Sequence, residues 1–274
     1  NWYTVIALVA LIWMGMIGFL DDYLKVVQGK TRGLVARYKM IGQWSFGLAL
    51  GAFLVFNQIS PHASTATAVP FFSDVQARFA VWSFILFTGV VVSGSSNAVN
   101  LTDGLDGLAA GLSAIAAVTL GIFAYIAGRF DMSEYLGFFY LPGAGELMIF
   151  AVALAGSAIG FLWYNAYPAQ VFMGDTGSLA LGGALGVMAI LLKAEFLLVI
   201  VGGVFVMETL SVIIQRVCFV YTRLRFGEGR RVFRMAPIHH HFEALGWPEA
   251  KVVIRFWIIG ILFAMLAIST LKIR

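Results

Sequence analysis

Charged residues are scarce in this sequence. Only 12% of its 274 residues are Asp, Glu, Lys or Arg, whereas a soluble domain has about 25%. Apolar residues make up 61%, and the mean hydropathy is +0.90. This composition excludes an ordinary soluble enzyme and a disordered tail, and it excludes a nucleic-acid-binding module despite a pI near 9.3. The composition indicates a polytopic membrane protein.

Cysteine is nearly absent as well. The single cysteine, Cys218, lies inside an apolar run, so no intrachain disulfide framework is possible. Asn1 leads directly into an apolar segment without the basic region that opens a signal peptide. We therefore expect an N-terminally incomplete chain that forms a single integral-membrane domain over residues 1–274.

Long apolar runs predict the fold. A helix needs about 20 apolar residues to cross a bilayer, and none of these runs alternates as a barrel strand does. The runs fall at 2–20, 40–58, 79–99, 108–127, 145–162, 176–192, 195–221 and 251–271. The sequence therefore predicts an all-α, polytopic transmembrane helical bundle with eight spans. Gly202-Gly203 mark a bend in the long seventh run, and 59–78 and 128–144 are predicted to be ordinary connectors.

Basic residues are distributed unequally over the connections. Thirteen lysines and arginines fall in or beside one set of alternate connections, and the opposite set has only Arg78, Arg129, Lys193, Lys272 and Arg274. Positively charged connections remain in the cytoplasm. The aspartates and the histidine run described below lie on the same side. This one-sided clustering predicts a site at the cytoplasmic membrane surface, not a transporter's site at the bilayer midplane.

Two adjacent carboxylates close the first predicted helix. Asp21 and Asp22 stand in the run Gly-Phe-Leu-Asp-Asp-Tyr-Leu-Lys, where they oppose the helix dipole and repel each other. A metal ion or a cationic partner would offset this cost, and one member of a coupled pair could act as a base. The alternative is a solvated acidic pair with Lys25 as its salt-bridge partner.

In a second segment, a polar residue recurs at every third position. The segment contains Asn97, Asn100, Asp103 and Asp106. In a helix these side chains would form one stripe at the membrane edge. Thr102 or Asp103 could instead cap the next helix, but capping needs one or two of these side chains and not four. We therefore favour a functional site.

The segment Phe172-Met173-Gly174-Asp175-Thr176-Gly177-Ser178 opens the sixth predicted helix. Its glycines allow close backbone approach, and the free amides of a helix N-terminus can bind an anion. Asp175 could hold Mg²⁺, which usually takes one or two carboxylates together with substrate phosphates. An aspartate that merely caps the helix is the alternative interpretation.

Three consecutive histidines stand in Pro237-Ile238-His239-His240-His241-Phe242-Glu243. Their spacing is not that of a zinc protease. Imidazoles beside several arginines suit a pyrophosphate-bearing substrate, although a basic loop against the headgroups of anionic membrane lipids would also explain the arginines. Glu208 lies inside the seventh run with Gln215 two turns later, and it is either a functional group or a structural one.

Together these motifs resemble the phospho-N-acetylmuramoyl-pentapeptide-transferases, a branch of the polyprenyl-phosphate N-acetylhexosamine-1-phosphate transferases. The matching segments are 18–25, 97–109, 171–179 and 234–243, and the resemblance extends over essentially the whole chain. It implies ten transmembrane helices, of which this sequence supplies the last eight, and a homodimer. The triple histidine separates this branch from relatives that transfer GlcNAc-1-phosphate.

The resemblance also implies an activity. It is the Mg²⁺-dependent transfer of phospho-MurNAc-pentapeptide from UDP-MurNAc-pentapeptide to undecaprenyl phosphate, which yields UMP and lipid I in peptidoglycan synthesis at the bacterial inner membrane. The alternative is a UDP-GlcNAc:undecaprenyl-phosphate GlcNAc-1-phosphate transferase. More distant rivals are an ion-coupled transporter with Glu208 as its carrier site and a non-catalytic scaffold.

Residue roles follow from the matching motifs. Asp21 or Asp22 would deprotonate or orient the acceptor phosphate, and Asp175 would be the metal ligand. The predicted catalytic residues are Asp21, Asp22, Asp175 and His240. The predicted substrate-binding residues are Lys25, Asn97, Asn100, Asp103, Asp106, Asn165, Phe172, Gly174, Gln215, His239 and His241. Direct attack by the lipid phosphate is favoured over a phospho-aspartyl intermediate, because a deprotonated phosphate is already a competent nucleophile.

Overall fold

The computed structural model describes residues 1–30 and 33–272, so Arg32 and Arg274 of the charge count lie outside the described residues. Within this range, eight helices are long and apolar enough to span a bilayer. They are α1 (Trp2–Val26), α2 (Ala36–Phe56), α3 (Val81–Thr102), α4 (Leu108–Ala127), α6 (Glu146–Asn165), α7 (Gly174–Leu191), α9 (Gly203–Phe226) and α11 (Glu249–Ser269). The predicted all-α bundle with eight spans is confirmed.

Among the described residues, the shorter elements are one hairpin and three helices. They are β1 (Ala66–Val69), β2 (Phe72–Arg78), α5 (Phe130–Tyr135), α8 (Glu195–Val201) and α10 (Ile238–Ala244). β1 and β2 pair antiparallel, with Ala66 opposite Arg78. The prediction of ordinary connectors is therefore wrong for 59–78, which holds the hairpin, and for 128–144, which holds α5.

A long-range contact stabilises the hairpin. The ammonium group of Lys193, between α7 and α8, donates to the carbonyl oxygen of Ala63 (2.7 Å). The carbonyl oxygen of Lys193 accepts a hydrogen bond from the backbone N–H of Ala68 (2.9 Å). Strand pairing here depends on residues more than a hundred positions away, so the local sequence pattern did not reveal it.

Helix boundaries differ from the sequence prediction at two places. α1 continues to Val26, so the aspartate pair lies within its last turns and not at its end. α4 begins after Gly107, whose φ of 80° reverses the chain, and the proposed cap by Thr102 or Asp103 is therefore wrong. The predicted bend is confirmed, because Gly202 separates α8 from α9.

Small residues let α7 approach its neighbours closely. A Cβ on Gly182 would lie 2.5 Å from the carbonyl oxygen of Ser95 on α3, and one on Gly18 of α1 would lie 2.1 Å from that of Asp175. Backbone contact through small residues is the usual way in which membrane helices associate. As a result, the last turns of α1 and α3 meet the N-terminus of α7.

Gly182→Val is expected to lower the stability of the bundle, because overpacking a close helix contact costs about 1–3 kcal/mol. The matched control is Gly156→Val on α6, where a Cβ meets nothing within 4 Å. The measurement is the fraction of monodisperse protein that remains in detergent after heating. Equal losses in the two variants would contradict the packing described here.

Candidate active site

Three carboxylates from two helices meet at one end of the bundle. Asp21 and Asp22 belong to the last turns of α1, and Asp175 belongs to the first turn of α7. One oxygen from each lies within 4.8 Å of the other two. We call these three residues the acidic centre. Like charges at this separation repel each other, so nearby donors and cations must compensate.

Asp22 caps the N-terminus of α7. Its Oδ2 accepts hydrogen bonds from the backbone N–H (2.8 Å) and the hydroxyl (2.7 Å) of Thr176, and its Oδ1 accepts one from the N–H of Asp175 (3.2 Å). The helix dipole favours a carboxylate at this position. Gly174 has a φ of 65°, and a Cβ there would lie 2.8 Å from Asp22 Oδ2. The alternative that Asp175 caps its own helix is therefore wrong, because Asp22 from another helix fills that position.

Two lysines neutralise the acidic centre. Lys39 Nζ lies 2.6 Å from Asp175 Oδ2 and 3.6 Å from Asp21 Oδ2. Lys25 Nζ lies 3.2 Å from Asp175 Oδ2 and also pairs with Asp21, a salt bridge that belonged to the alternative interpretation of the sequence. Sequence reasoning did not select Lys39. Its only signal was its place in a basic cytoplasmic connection, which it shares with several other lysines and arginines.

The polar stripe of α3 divides between two neighbouring helices. Asn100 donates from Nδ2 to Asp175 Oδ1 (2.7 Å) and to Ser178 Oγ (2.9 Å). Asn97, one turn earlier, donates to Oε1 of Gln43 on α2 (2.6 Å). Asn100 thus lies at the acidic centre, whereas Asn97 links α2 to α3 and is not brought to it.

The connection from α3 to α4 places Asp103 and Asp106 beside the acidic centre. Asp106 accepts a hydrogen bond from the backbone N–H of Ala169 (2.9 Å), and this bond holds the connection against the segment between α6 and α7. Burial, reinforced by the negative charges of Asp175 and Asp22, raises the pKa of Asp103 to about 7. Asp103 is therefore an aspartate that changes charge near neutral pH.

These residues line a cleft of about 310 Å³, a size typical of ligand sites. The lining consists of Asn100, Asp103, Gly104, Leu105, Asp106, Asn165, Phe172, Met173, Gly174 and Asp175. The aromatic ring of Phe172 is 74% exposed. Asn165 is buried, and it accepts from the N–H of Gly107 (3.0 Å) and donates to the carbonyl oxygen of Val171 (2.9 Å). Asn165 therefore braces the cleft walls.

The first histidine of α10 faces the protein interior. His239 and Glu208 of α9 are both 0% exposed, and His239 Nδ1 lies 3.1 Å from Glu208 Oε2. This contact identifies the partner of Glu208 that the sequence left open. In this arrangement a donor in the cleft does not reach the His239 side chain.

The other two histidines are partly exposed and have separate partners. His240 Nδ1 lies 2.6 Å from Glu243 Oε2, and His241 Nδ1 accepts a hydrogen bond from the backbone N–H of Arg234 (3.1 Å). The three predicted histidines therefore do not form one cluster around a single ligand.

Gln215 stabilises the basic connection between α9 and α10. Its Oε1 accepts from the backbone N–H groups of Val232 (3.0 Å) and Phe233 (2.9 Å), and its Nε2 donates to the carbonyl oxygen of Phe233 (3.0 Å). Both ends of the amide are thus engaged by the backbone, and Gln215 orders the connection that precedes the histidines.

The acidic centre has the ligand chemistry of a hard cation. Its donors are three carboxylates, and oxygen is the ligand type that Mg²⁺ requires. Thiolate and imidazole, which softer metals prefer, do not belong to this group. The residues present therefore fit Mg²⁺, with Asp175 at the cleft as the central candidate ligand.

Comparison with known proteins agrees with the motifs. The family model described as glycosyl transferase family 4 matches residues 4–193. The phospho-N-acetylmuramoyl-pentapeptide-transferase of Gemmatimonas aurantiaca is 58% identical, over 100% of this chain and 75% of the relative. The enzyme of that name from Chloroherpeton thalassium is 51% identical, over 99% of this chain and 74% of the relative. Matches at these levels cover both the acidic centre and the histidine segment. The chain therefore belongs to glycosyl transferase family 4 and, within it, to the phospho-N-acetylmuramoyl-pentapeptide-transferases.

Proposed function

We propose that this protein transfers phospho-MurNAc-pentapeptide from UDP-MurNAc-pentapeptide to undecaprenyl phosphate, at the cytoplasmic face of a bacterial inner membrane. The observation that carries the proposal is the acidic centre, which opens into a polar cleft in a chain similar to enzymes named for this transfer. The connections on the same side of the membrane as the acidic centre hold most of the basic residues. This excess favours a cytoplasmic location and an anionic, water-soluble donor.

Mg²⁺ is proposed as the cofactor. Asp175 would hold it, with Asp21 and Asp22 at the other corners of the acidic centre. When bound there, the ion would neutralise charge on the diphosphate of the donor. Lys25 and Lys39 are placed to add positive charge beside the same group.

The protein's own residues would act mainly by positioning and charge compensation, as phosphoryl transfer requires. Asp21 or Asp22 would accept the proton of the acceptor phosphate or orient it. An oxygen of that phosphate would bond to the sugar-linked phosphorus of the donor, and the bond between that phosphorus and the UMP oxygen would break. A stable phospho-aspartyl adduct at Asp21, Asp22 or Asp175 would contradict this direct attack.

An apolar cavity supports the proposal that the acceptor is a lipid. A cavity of about 330 Å³ is lined mainly by apolar residues of α3, α8 and α9, and its lining extends along α3 from Phe87 to Val99. At 1.5 Å per residue, this stretch of helix is about 18 Å long. Since α3 ends near the acidic centre, a prenyl chain in this cavity could enter from the bilayer while its phosphate approaches the carboxylates.

The test is UMP release by the purified protein in detergent with undecaprenyl phosphate. We expect release with UDP-MurNAc-pentapeptide, loss of release with EDTA, and recovery with added Mg²⁺. UDP-GlcNAc serves as the comparison donor. Release with UDP-GlcNAc alone would move the protein to the sister activity. No release with either donor would contradict the enzyme proposal.

The raised pKa of Asp103 predicts how donor affinity depends on pH when no Mg²⁺ is bound. Below pH 7 the carboxyl is mostly neutral, and above pH 7 it adds a negative charge next to Asp175 and Asp22. The added charge repels a diphosphate, so we expect the Kd of the donor without Mg²⁺ to rise between pH 6.5 and 8.5, by up to about tenfold. Asp103→Asn should flatten this rise, as measured by equilibrium binding of the donor in EDTA at several pH values. An unchanged profile in the variant would contradict the assignment.

A further inference from the structure

The buried pair of Glu208 and His239 has no part in the chemistry proposed above. Both side chains are completely buried, and the two atoms that face each other are Glu208 Oε2 and His239 Nδ1, at 3.1 Å. A carboxylate within a membrane-spanning helix is costly unless a partner compensates, and such groups usually serve a function. Because the pair joins the second turn of α9 to the start of α10, it links the histidine segment to the bundle core.

The opposite edge of the His239 ring packs on the backbone of the cleft wall. A Cβ on Gly104 would lie 2.4 Å from His239 Nε2, so the ring occupies the space that any other residue at 104 would need. Gly104 lies between Asp103 and Asp106, and it lines the cleft itself. His239 therefore fills the gap between α9 and the connection that carries both aspartates.

His239 also supports its neighbour on α10. The ring centroids of His239 and His240 are 4.2 Å apart, in an edge-to-face arrangement. A Cβ on Gly104 would lie 3.3 Å from His240 Nε2, so both rings meet the cleft wall at the same glycine. One buried ring thus contacts both its neighbour on α10 and the connection that forms one wall of the cleft.

We propose that Glu208 is a positioning residue for donor binding. Its carboxylate lies 3.1 Å from His239 Nδ1, and this buried contact sets the orientation of the ring. The ring then holds His240 and the Asp103–Asp106 connection against each other at Gly104, on one wall of the cleft. Glu208 acts through His239, and neither side chain touches substrate. This inference rests on the proposed donor site in the cleft.

The first test separates donor binding from acceptor binding. Glu208→Ala should raise the KM for UDP-MurNAc-pentapeptide about tenfold, because small displacements of positioning groups have large effects. Glu208→Gln should raise it less, because glutamine keeps the size of the side chain beside the ring. The KM for undecaprenyl phosphate should stay within twofold in both variants. A general loss of structure would change both constants together.

A second variant disturbs the ring without altering Glu208. Gly104→Ala should also raise the donor KM selectively, and Gly160→Ala, which meets nothing within 4 Å on α6, is its control. In a His239→Ala background, Gly104→Ala should raise the donor KM little further, because the ring that the added methyl group would displace is already absent. An additive effect would show that Gly104 acts independently of His239.

A spectroscopic readout tests the pair without enzyme activity. The sequence has four histidines, so ¹⁵N-histidine labelling gives few signals. In the unsubstituted protein we expect one imidazole that is shielded from solvent and does not exchange its proton readily, and this signal should shift in Glu208→Gln. If the unsubstituted protein released no UMP, the proposed function would fail while this signal still tested the pair. Absence of the signal, or equal changes of both KM values in folded Glu208→Gln, would overturn the inference.

Discussion

Asp175→Asn is expected to lower the rate of UMP release by about 10³-fold, with the folded protein retained. The substitution keeps the size of the side chain and removes its charge. Asp175 is the carboxylate that contacts Asn100 (2.7 Å) and Lys39 (2.6 Å), and it faces the cleft. Without its charge the acidic centre loses its central candidate ligand for Mg²⁺. The measurement is UMP release at saturating concentrations of both substrates.

The control for this variant is another aspartate in an ion pair. Asp131 lies outside the acidic centre, where its Oδ2 is 2.8 Å from Arg129, and both side chains are exposed. Asp131→Asn should leave UMP release within twofold, because exposed ion pairs contribute little. Folding is checked by the elution profile and the midpoint of thermal unfolding. If Asp175→Asn retained a tenth of the activity or more, Asp175 would not be the metal ligand proposed here.

Lys39→Met should lower UMP release by about 10²-fold, because a cation at the diphosphate stabilises charge that moves during the transfer. Its ammonium group bridges Asp175 and Asp21, so it lies where a bound diphosphate would meet the acidic centre. Lys39→Arg keeps the positive charge but changes the shape of the charged group, so it should retain more activity than Lys39→Met. The measurement compares kcat and the donor KM for both variants.

Lys30 provides the matched control for Lys39. It lies in the connection between α1 and α2, shortly before Lys39 in the first turn of α2. Lys30 is exposed, and its ammonium group has no ion pair among the described residues. Lys30→Met changes the net charge of this surface by the same amount. If both variants lowered activity equally, the effect would come from the general positive field and not from the contact of Lys39 with the acidic centre.

The polar motifs show where sequence reasoning was sufficient and where it was not. Asp21, Asp22, Asp175 and Asn100 were all expected at one site, and the structure brings them together. Asn97 has the same residue type and the same spacing as Asn100, yet it contacts Gln43. The difference depends on which neighbour each face of α3 meets, and helix spacing alone does not contain that information.

Partners that come from distant parts of the chain were not predictable in the same way. Lys39 lies 136 residues from Asp175, and Thr176 lies 154 residues from Asp22. Glu208 and His239 belong to a span and a connection that the sequence treated separately. In each case the residue type was visible in the sequence, but its role depended on a contact between elements.

The sequence by itself determined the eight spans, the basic side of the chain and the four motifs that identify the family. The spans and the basic side depend on how favourably each segment enters a bilayer and on the charge of each connection. They can therefore be judged one segment at a time from the sequence. Only the tertiary structure decided that Asp22 caps α7, that Lys39 joins the acidic centre, that Glu208 holds His239 and that Lys193 stabilises the hairpin. The role of Asp22 depends on the close approach of α1 to α7 at Gly18. Hydrogen bonds and ion pairs of this kind join segments that are far apart in the sequence. Their atoms come within bonding distance only when the helices have packed into the bundle.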